Sequence, residues 1–377
     1  MPLVFTLAFR NLFHDRLRFI ATVIGIVFSI VLVTVQMGLY LGFGRMVTTM
    51  IDHASADLWV MPRGTKRFED PSLLDARDRY RALSIKGVAD AIAMVIGFAD
   101  WRMPDGAMTP VFVIGSDVRS GGLQPWNLVK GRIEALSSPK AVAVDRSYFD
   151  RLGISGMGAT AEIRQQPVRV AAVTNGIRSF TTTPFVFMDV NRARAHTGVP
   201  SGKATYILVR LSPDADLEQI RRQLMSNIAD VEVLTPAEFH ERSRRFWLFG
   251  TGAGAALFAG ALLGVIVGTV IVAQTLYSST KEHINEFATL RAMGSSRRYI
   301  YNVIICQALL SAIIGFALAA LIGDSIVRLT AATALPIVIT PGLLVALFLL
   351  TVVMCIGSSI AAIVQVTRID PAMVFTR

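Results

Sequence analysis

The residues whose types and spacing suggest a task lie between 281 and 298, in the stretch KEHINEFATLRAMGSSRR. Glu282 and Glu286 fall four apart, one helical turn, and Arg291, Arg297 and Arg298 follow them. Gly294 is placed to end that helix, and Ser295 or Ser296 to cap the next one. This is the only strongly charged segment between two long apolar runs, 247–276 and 301–323. A capped, charged helix hung between two such runs offers a handle to something outside the membrane.

Motifs for bond-making chemistry are missing elsewhere. The sequence holds no G-x-x-x-x-G-K-[ST] phosphate loop, and 153–158 is glycine-rich but lacks the lysine, so the chain carries no nucleotide-hydrolysing motif of its own. It has no H-E-x-x-H, C-x-x-C or G-x-S-x-G. His14, His53, His196, His240 and His283 are scattered without metal-ligand spacing. No catalytic, cofactor-binding or metal site is therefore assigned. A net charge of +10 could suggest nucleic acid, but 44–245 holds 27 Lys/Arg against 22 Asp/Glu, an ordinary mixed surface. No basic run is interleaved with aromatics, and nucleic acid is set aside as a partner. Cys306 and Cys355 both lie in apolar runs and read as small buried side chains rather than a disulfide.

The elements that position the handle are apolar. Four runs, 19–43, 246–276, 301–323 and 342–366, reach the roughly 20 residues that cross a bilayer. The first is longer than the ~7–15 residues of a signal-peptide core and reads as a retained span. Ahead of it, 1–18 carries an amphipathic helix in which Thr6, Arg10 and His14 fall four apart, suited to the lipid interface. Arg10, Arg16, Arg18, Lys281, Arg291, Arg297, Arg298, Arg368 and Arg377 flank one set of span ends, whereas the short loop 324–341 carries only Arg328. The positive-inside rule then puts both termini, the 277–300 segment and the 367–377 tail in the cytoplasm, with 44–245 outside. The middles of the spans lack Asp, Glu, Lys and Arg, unlike those of an ion-coupled carrier. Asp324 and Arg328 read as interfacial.

Two further patterns matter. In the second span Gly252, Ala256, Gly260, Gly264 and Gly268 recur every four residues, a groove for close helix packing within one chain or between two. Ser311, Gly315, Ala319 and Gly323 repeat the device in the third. The outer segment alternates apolar runs at 57–61, 91–98, 110–114, 141–144, 168–173, 185–188, 206–211 and 231–234 with a helical repeat at 216–228. Residues 62–87 read as a loop with a short helix near 73–83. The fold class is therefore membrane α-helical, four transmembrane helices with a large α+β domain inserted between the first and the second.

At the handle the chain resembles the permeases of the MacB/FtsX superfamily of ABC transporters. Their second and third spans are joined by E-R-x-x-E-I-x-x-L-R-A-[LM]-G-[AS]-S-x-x-x-I. Here Glu282, Glu286, Leu290, Arg291, Ala292, Met293, Gly294, Ser295, Ser296 and Ile300 stand at matching positions, with His283 and Phe287 as departures. The tail Arg368-Ile369-Asp370-Pro371-Ala372 is similar to the family's closing motif, and Leu7-Ala8-Phe9-Arg10-Asn11-Leu12 to its interfacial helix. Ala56-Asp57-Leu58-Trp59-Val60 and the unsplit outer domain look most like the DevC-type branch. The resemblance implies a homodimer in a bacterial inner membrane, with a periplasmic domain and contact with membrane lipid. It implies two copies of a separate ABC ATPase that binds ATP and Mg and grips Glu282, Glu286, Leu290, Arg291, Met293 and Gly294. Mechanical transmission to the outer domain, a periplasmic adaptor protein and an outer-membrane channel would complete an export path for a glycolipid or another envelope compound. The other reading is a non-transporting transmitter like the FtsX branch, which regulates cell-wall hydrolases.

Overall fold

The computed structural model describes residues 2–14, 16–282, 289, 293–330 and 337–367 of the 377-residue chain. They form two compact units, one made of the described residues within 2–42 and 254–367 and the other of residues 43–253.

In the membrane unit, four helices among the described residues are long and apolar enough to span a bilayer. They are Arg16–Met46, Ala253–Ser278, Arg298–Thr330 and Pro341–Ile360. A separate helix, Pro2–His14, precedes them and sets the Phe9 and Phe13 rings in tilted contact at 4.4 Å. The spans bury Ile26, Ile30, Val272, Ile304, Ala308, Ala312 and Cys355 against one another. Cys306 and Cys355 are free thiols. Asp324 and Arg328 pair with each other at 2.8 Å, one helical turn apart and exposed.

The second span does not begin at 246. Residues Phe246–Gly250 form a π-helical turn in which Thr251 N–H reaches back to the Phe246 carbonyl at 3.2 Å. Gly252 then adopts φ +76°, a left-handed backbone that breaks the helix before Ala253. The expected five-residue stripe of small residues thus loses its first member to a turn.

The outer unit is built on twelve strands: β1 Leu58–Pro62, β2 Leu74–Asp75, β3 Val88–Arg102, β4 Met108–Ser116, β5 Leu128–Lys130, β6 Ala141–Asp145, β7 Thr160–Ile163, β8 Gln166–Thr174, β9 Phe185–Asp189, β10 Lys203–Ala204, β11 Tyr206–Leu211 and β12 Val231–Leu234. Ten make one mixed sheet in the order β12-β1-β11-β3-β4-β9-β6-β8-β5, with β7 bridging β3 and β8. The long strand β3 is its axis. Ala91, Ala93 and Val95 point into one apolar core, Ile92, Met94 and Ile96 into another, so both faces are covered. The helix Leu217–Asn227 packs on the first of these through Ile220 and Leu224. The second core is aromatic: Trp59 meets Tyr206 edge-on at 5.3 Å beside Phe68 and Phe239.

Three helices have shorter or later bounds than periodicity suggested, or escaped it. In 73–83 only Asp78–Leu83 is helical, because Asp75 turns the chain by accepting the Arg77 N–H at 2.9 Å and Leu74–Asp75 pairs with β10. Val190–Thr197 and Pro236–Arg245 are further helices. The latter opens with a capping box between Thr235 and Glu238.

The entry and the exit of this unit lie side by side. The helix Thr49–Asp52 meets Pro236–Arg245, and Asp52 Oδ1 lies 2.7 Å from His240 Nδ1. Phe180 joins the two ends again, edge-on to Phe43 at 5.1 Å and to Trp247 at 4.5 Å.

Candidate coupling segment and helix seam

The second span is helical from Ala253 to Glu282, with Lys281 exposed in its last turn, where a cation complements the helix dipole. Of the residues assigned to ATPase coupling, Glu286, Leu290 and Arg291 lie outside the described residues, as does the side chain of Glu282. Met293 and Gly294 are described. The Met293 N–H donates to the Thr289 carbonyl at 3.0 Å, one helical turn back, and the Met293 side chain is 71% exposed. Gly294 has φ +94°, the left-handed conformation that ends a helix and that a side chain would strain. Between the two serines offered as caps, Ser296 does the work: its Oγ accepts the Tyr299 N–H at 3.3 Å at the start of the helix Arg297–Thr330. Ile300, one residue on, is fully buried. The segment thus combines an exposed apolar side chain, a forced turn and an anchored restart.

The small residues of the second span divide into two groups. Gly260, Gly264 and Gly268 face the first span of the same chain. A Cβ on Gly260 would lie 2.7 Å from Gln36 Nε2, and one on Gly264 3.1 Å from Val33 Cγ2. One on Gly268 would collide with Ser29 while lying 3.1 Å from Met354 Sδ. Ala256 is exposed, and a Cβ on Gly252 would meet nothing within 4 Å. The close approach lets hydroxyls reach backbone: Ser29 Oγ donates to the Gly264 carbonyl at 2.8 Å, and Ser358 Oγ on the fourth span donates to the Thr269 carbonyl at 3.0 Å. Arg18 Nη1 donates to the Ser278 carbonyl at 3.4 Å near the other end of the seam. In the third span Gly315 sits under Ile26, and Ser311 and Ala319 are fully buried. Direct packing of this kind is what holds helices together where no water drives them.

Where the outer unit leads into the second span, the structure brings together residues that the sequence kept apart. Glu69 Oε2 accepts the Trp247 indole N–H at 3.0 Å. The Arg67 guanidinium lies over Phe246 at 4.8 Å and Trp247 at 5.6 Å from the ring centroids. Burial lifts the Glu69 carboxyl to about 7, against the lowering effect of its hydrogen bonds and of Arg67. With Glu69 and Trp247 lying 178 positions apart, no local spacing announces the pair; an acid in an otherwise polar loop was the only sign. No group of three or more His, Cys, Asp or Glu suited to a metal occurs among the described residues.

Comparison with known proteins bears on the whole chain. Residues 19–226 match the family model of the MacB-like periplasmic core domain, and residues 255–371 match that of the FtsX-like permease C-terminal region. An uncharacterized ABC transporter permease of Mycobacterium tuberculosis, found in two strains, is 25% identical over 375 residues, 98% of each chain. Among solved structures, the periplasmic region of MacB from Actinobacillus actinomycetemcomitans is similar at 12% identity, covering 51% of this chain and 94% of its own, with a TM-score of 0.39. The extracellular domain of the noncanonic ABC-type transporter YknZ from Gram-positive bacteria is similar at 17% identity, covering 48% of this chain and 99% of its own, with a TM-score of 0.36.

Proposed function

This chain belongs to the MacB/FtsX superfamily of ABC transporter permeases, and from that premise we propose that it is the membrane subunit of an ATP-driven export system. In this reading it sits in a bacterial inner membrane as a homodimer, its outer domain in the periplasm. A separate ABC ATPase, which holds ATP and Mg, docks on Glu282, Glu286, Leu290, Arg291, Met293 and Gly294. Closure of the ATPases displaces that segment, and the second span carries the displacement toward the outer domain. The outer domain engages an adaptor and an outer-membrane channel, and the cargo is a glycolipid or another envelope compound, as in the DevC-type branch.

The observation that carries the reading is the construction of the second span. It is one helix of 30 residues that ends at the coupling segment and is bonded through backbone carbonyls to the first and fourth spans. A helix fixed in that way moves with its neighbours rather than sliding past them, as transmission of a displacement requires. Charged groups in mid-span, which a pathway for ions would need, are missing from the sequence.

The test reverses charge in the coupling segment of the full chain co-purified with its ATPase. Glu286→Lys and Arg291→Glu are expected to abolish stimulation of ATP hydrolysis while leaving the melting of the outer domain unchanged. Normal stimulation in both variants would end the transmission reading. Affinity capture of the assembly separates export from regulation: an adaptor and an outer-membrane channel support export, whereas a cell-wall hydrolase in their place supports the FtsX-like transmitter.

A further inference from the structure

The outer unit contains a cleft of about 510 Å³ that the export reading does not use. Several separate parts of the chain line it, including Arg77, which pairs with Asp75, and Ser201. The helix Asp78–Leu83 contributes Arg79 and Tyr80, the turn after β4 contributes Asp117 and Arg119, and the first turns of Val190–Thr197 contribute Arg194. Acids and bases both occur here, so the sign of the site depends on which of them are already engaged.

The acids are engaged by their own turns. Asp117 accepts the Arg119 and Ser120 backbone N–H groups at 2.9 and 3.4 Å and the Ser120 hydroxyl at 3.0 Å. Asp189, at the cleft edge, caps its helix by accepting the Asn191 N–H at 3.0 Å. The bases keep donors in reserve. Arg119 is exposed and has no side-chain partner among the described residues. Arg79 spends one nitrogen on the Tyr80 hydroxyl at 2.6 Å, lying over that ring at 4.5 Å. Arg194 uses Nε on the Lys203 carbonyl at 3.0 Å and Nη1 on Asn191 Oδ1 at 2.8 Å, which leaves Nη2. Burial, and then the charge of Arg79, hold the Arg194 guanidinium below its usual range against the raising effect of Asp189. Against burial, the hydrogen bonds of its turn and then Arg79 lower the Asp117 carboxyl, so the two cations share the cleft with partly compensating acids.

We propose that this cleft binds a phosphate ester carried on a small hydroxylated body, such as a glycerol phosphate or a sugar phosphate. Guanidinium forks match phosphate oxygens in pairs, and an oxyanion between Arg79 and Arg194 relieves their mutual repulsion. The volume exceeds that of bare phosphate and falls within the range of about 300–1,000 Å³ typical of small-molecule sites. Asn191 and Ser201 on the wall suit hydroxyl groups, and the Tyr80 ring, 58% exposed, supplies a flat apolar face. The ligand can be free in solution or form the headgroup of a phospholipid; the recognition chemistry is the same. The assignment stands apart from the export reading, since it uses residues of the outer unit alone.

The experiment uses the full chain in phosphatidylcholine nanodiscs and titrates sn-glycerol 3-phosphate, glucose 1-phosphate, glycerol and glucose by calorimetry. In a parallel arm, the nanodiscs carry phosphatidylglycerol and the soluble phosphate ester competes. Saturable binding of the phosphate esters but not of the neutral compounds is expected, weakening with added salt. Arg79→Gln with Arg119→Gln should lower affinity at least about tenfold; Arg194→Gln should do the same. Competition by phosphatidylglycerol identifies the headgroup form and its absence the soluble form, each as a source of the same ligand. No binding of either ester at millimolar concentration, or equal binding by wild type and the double variant, would overturn the proposal. Displacement of the esters by hexaglutamate at matched concentration would overturn it in favour of an acidic protein partner.

Discussion

Replacing Glu69 by glutamine tests whether a buried acid destabilises the root of the second span. Burial lifts the Glu69 carboxyl from an ordinary 4.5 to about 7. Between those values the folded protein retains a proton that the unfolded chain has lost. Stability is therefore fully present below about pH 4.5, falls as the pH rises to about 7, and is flat above that. At about 1.4 kcal/mol per tenfold change, the whole displacement corresponds to about 3 kcal/mol. The carboxyl keeps some contact with water, and discounting for screening leaves about 1–2 kcal/mol. Glutamine still offers an acceptor to the Trp247 indole but cannot ionise. The assay is thermal melting of the full chain in detergent, followed by tryptophan fluorescence, at pH 5, 6, 7 and 8. Glu69→Gln should raise the outer-domain transition by about 2–8 °C at pH 8 and shift it little at pH 5. Parallel melting curves of the two proteins across that pH range would refute the reasoning, because they would mean that the carboxyl titrates alike in the folded and unfolded states.

Other substitutions address separate parts of the structure. Gly264→Leu and Gly268→Leu press side chains onto Val33 and Ser29, and each should cost about 1–3 kcal/mol. Gly357→Leu, where a Cβ would meet nothing within 4 Å, is the control, and thermal shift of the detergent-solubilised chain should separate them. Asp145→Ala should destabilise the outer domain by about 3 kcal/mol or more, since one buried carboxylate accepts from Ser147 N, Ser147 Oγ, Thr174 Oγ1 and Ile177 N; chemical denaturation reads it directly. Ser296→Ala should weaken the start of the third span by about 1 kcal/mol, seen as faster amide exchange at Tyr299 with the outer domain unaffected.

Most of the architecture was legible because the forces that set it act on neighbours in sequence. The runs at 206–211 and 231–234 coincide with β11 and β12, and 216–228 brackets the helix Leu217–Asn227, because alternation and helical spacing are local properties. The helix Pro236–Arg245 carried a readable signal in Thr235 and Glu238 that apolar periodicity overlooks. Val190–Thr197 has few apolar residues to count. Gly252 shows a different limit. A glycine that permits close packing and a glycine that permits a left-handed turn are the same letter, so spacing alone placed it in the stripe. The contact Glu69–Trp247 joins distant segments and exists only once the sheet has formed.

The adjacency of Asp52 and His240, and of Phe43 and Trp247 around Phe180, bears on the ancestry of the chain. A domain whose two ends meet can be spliced into a helical hairpin at little entropic cost, since its insertion closes no wide gap. Joining 48 and 245 through a short glycine–serine linker should yield a circularised domain that folds and melts as one unit.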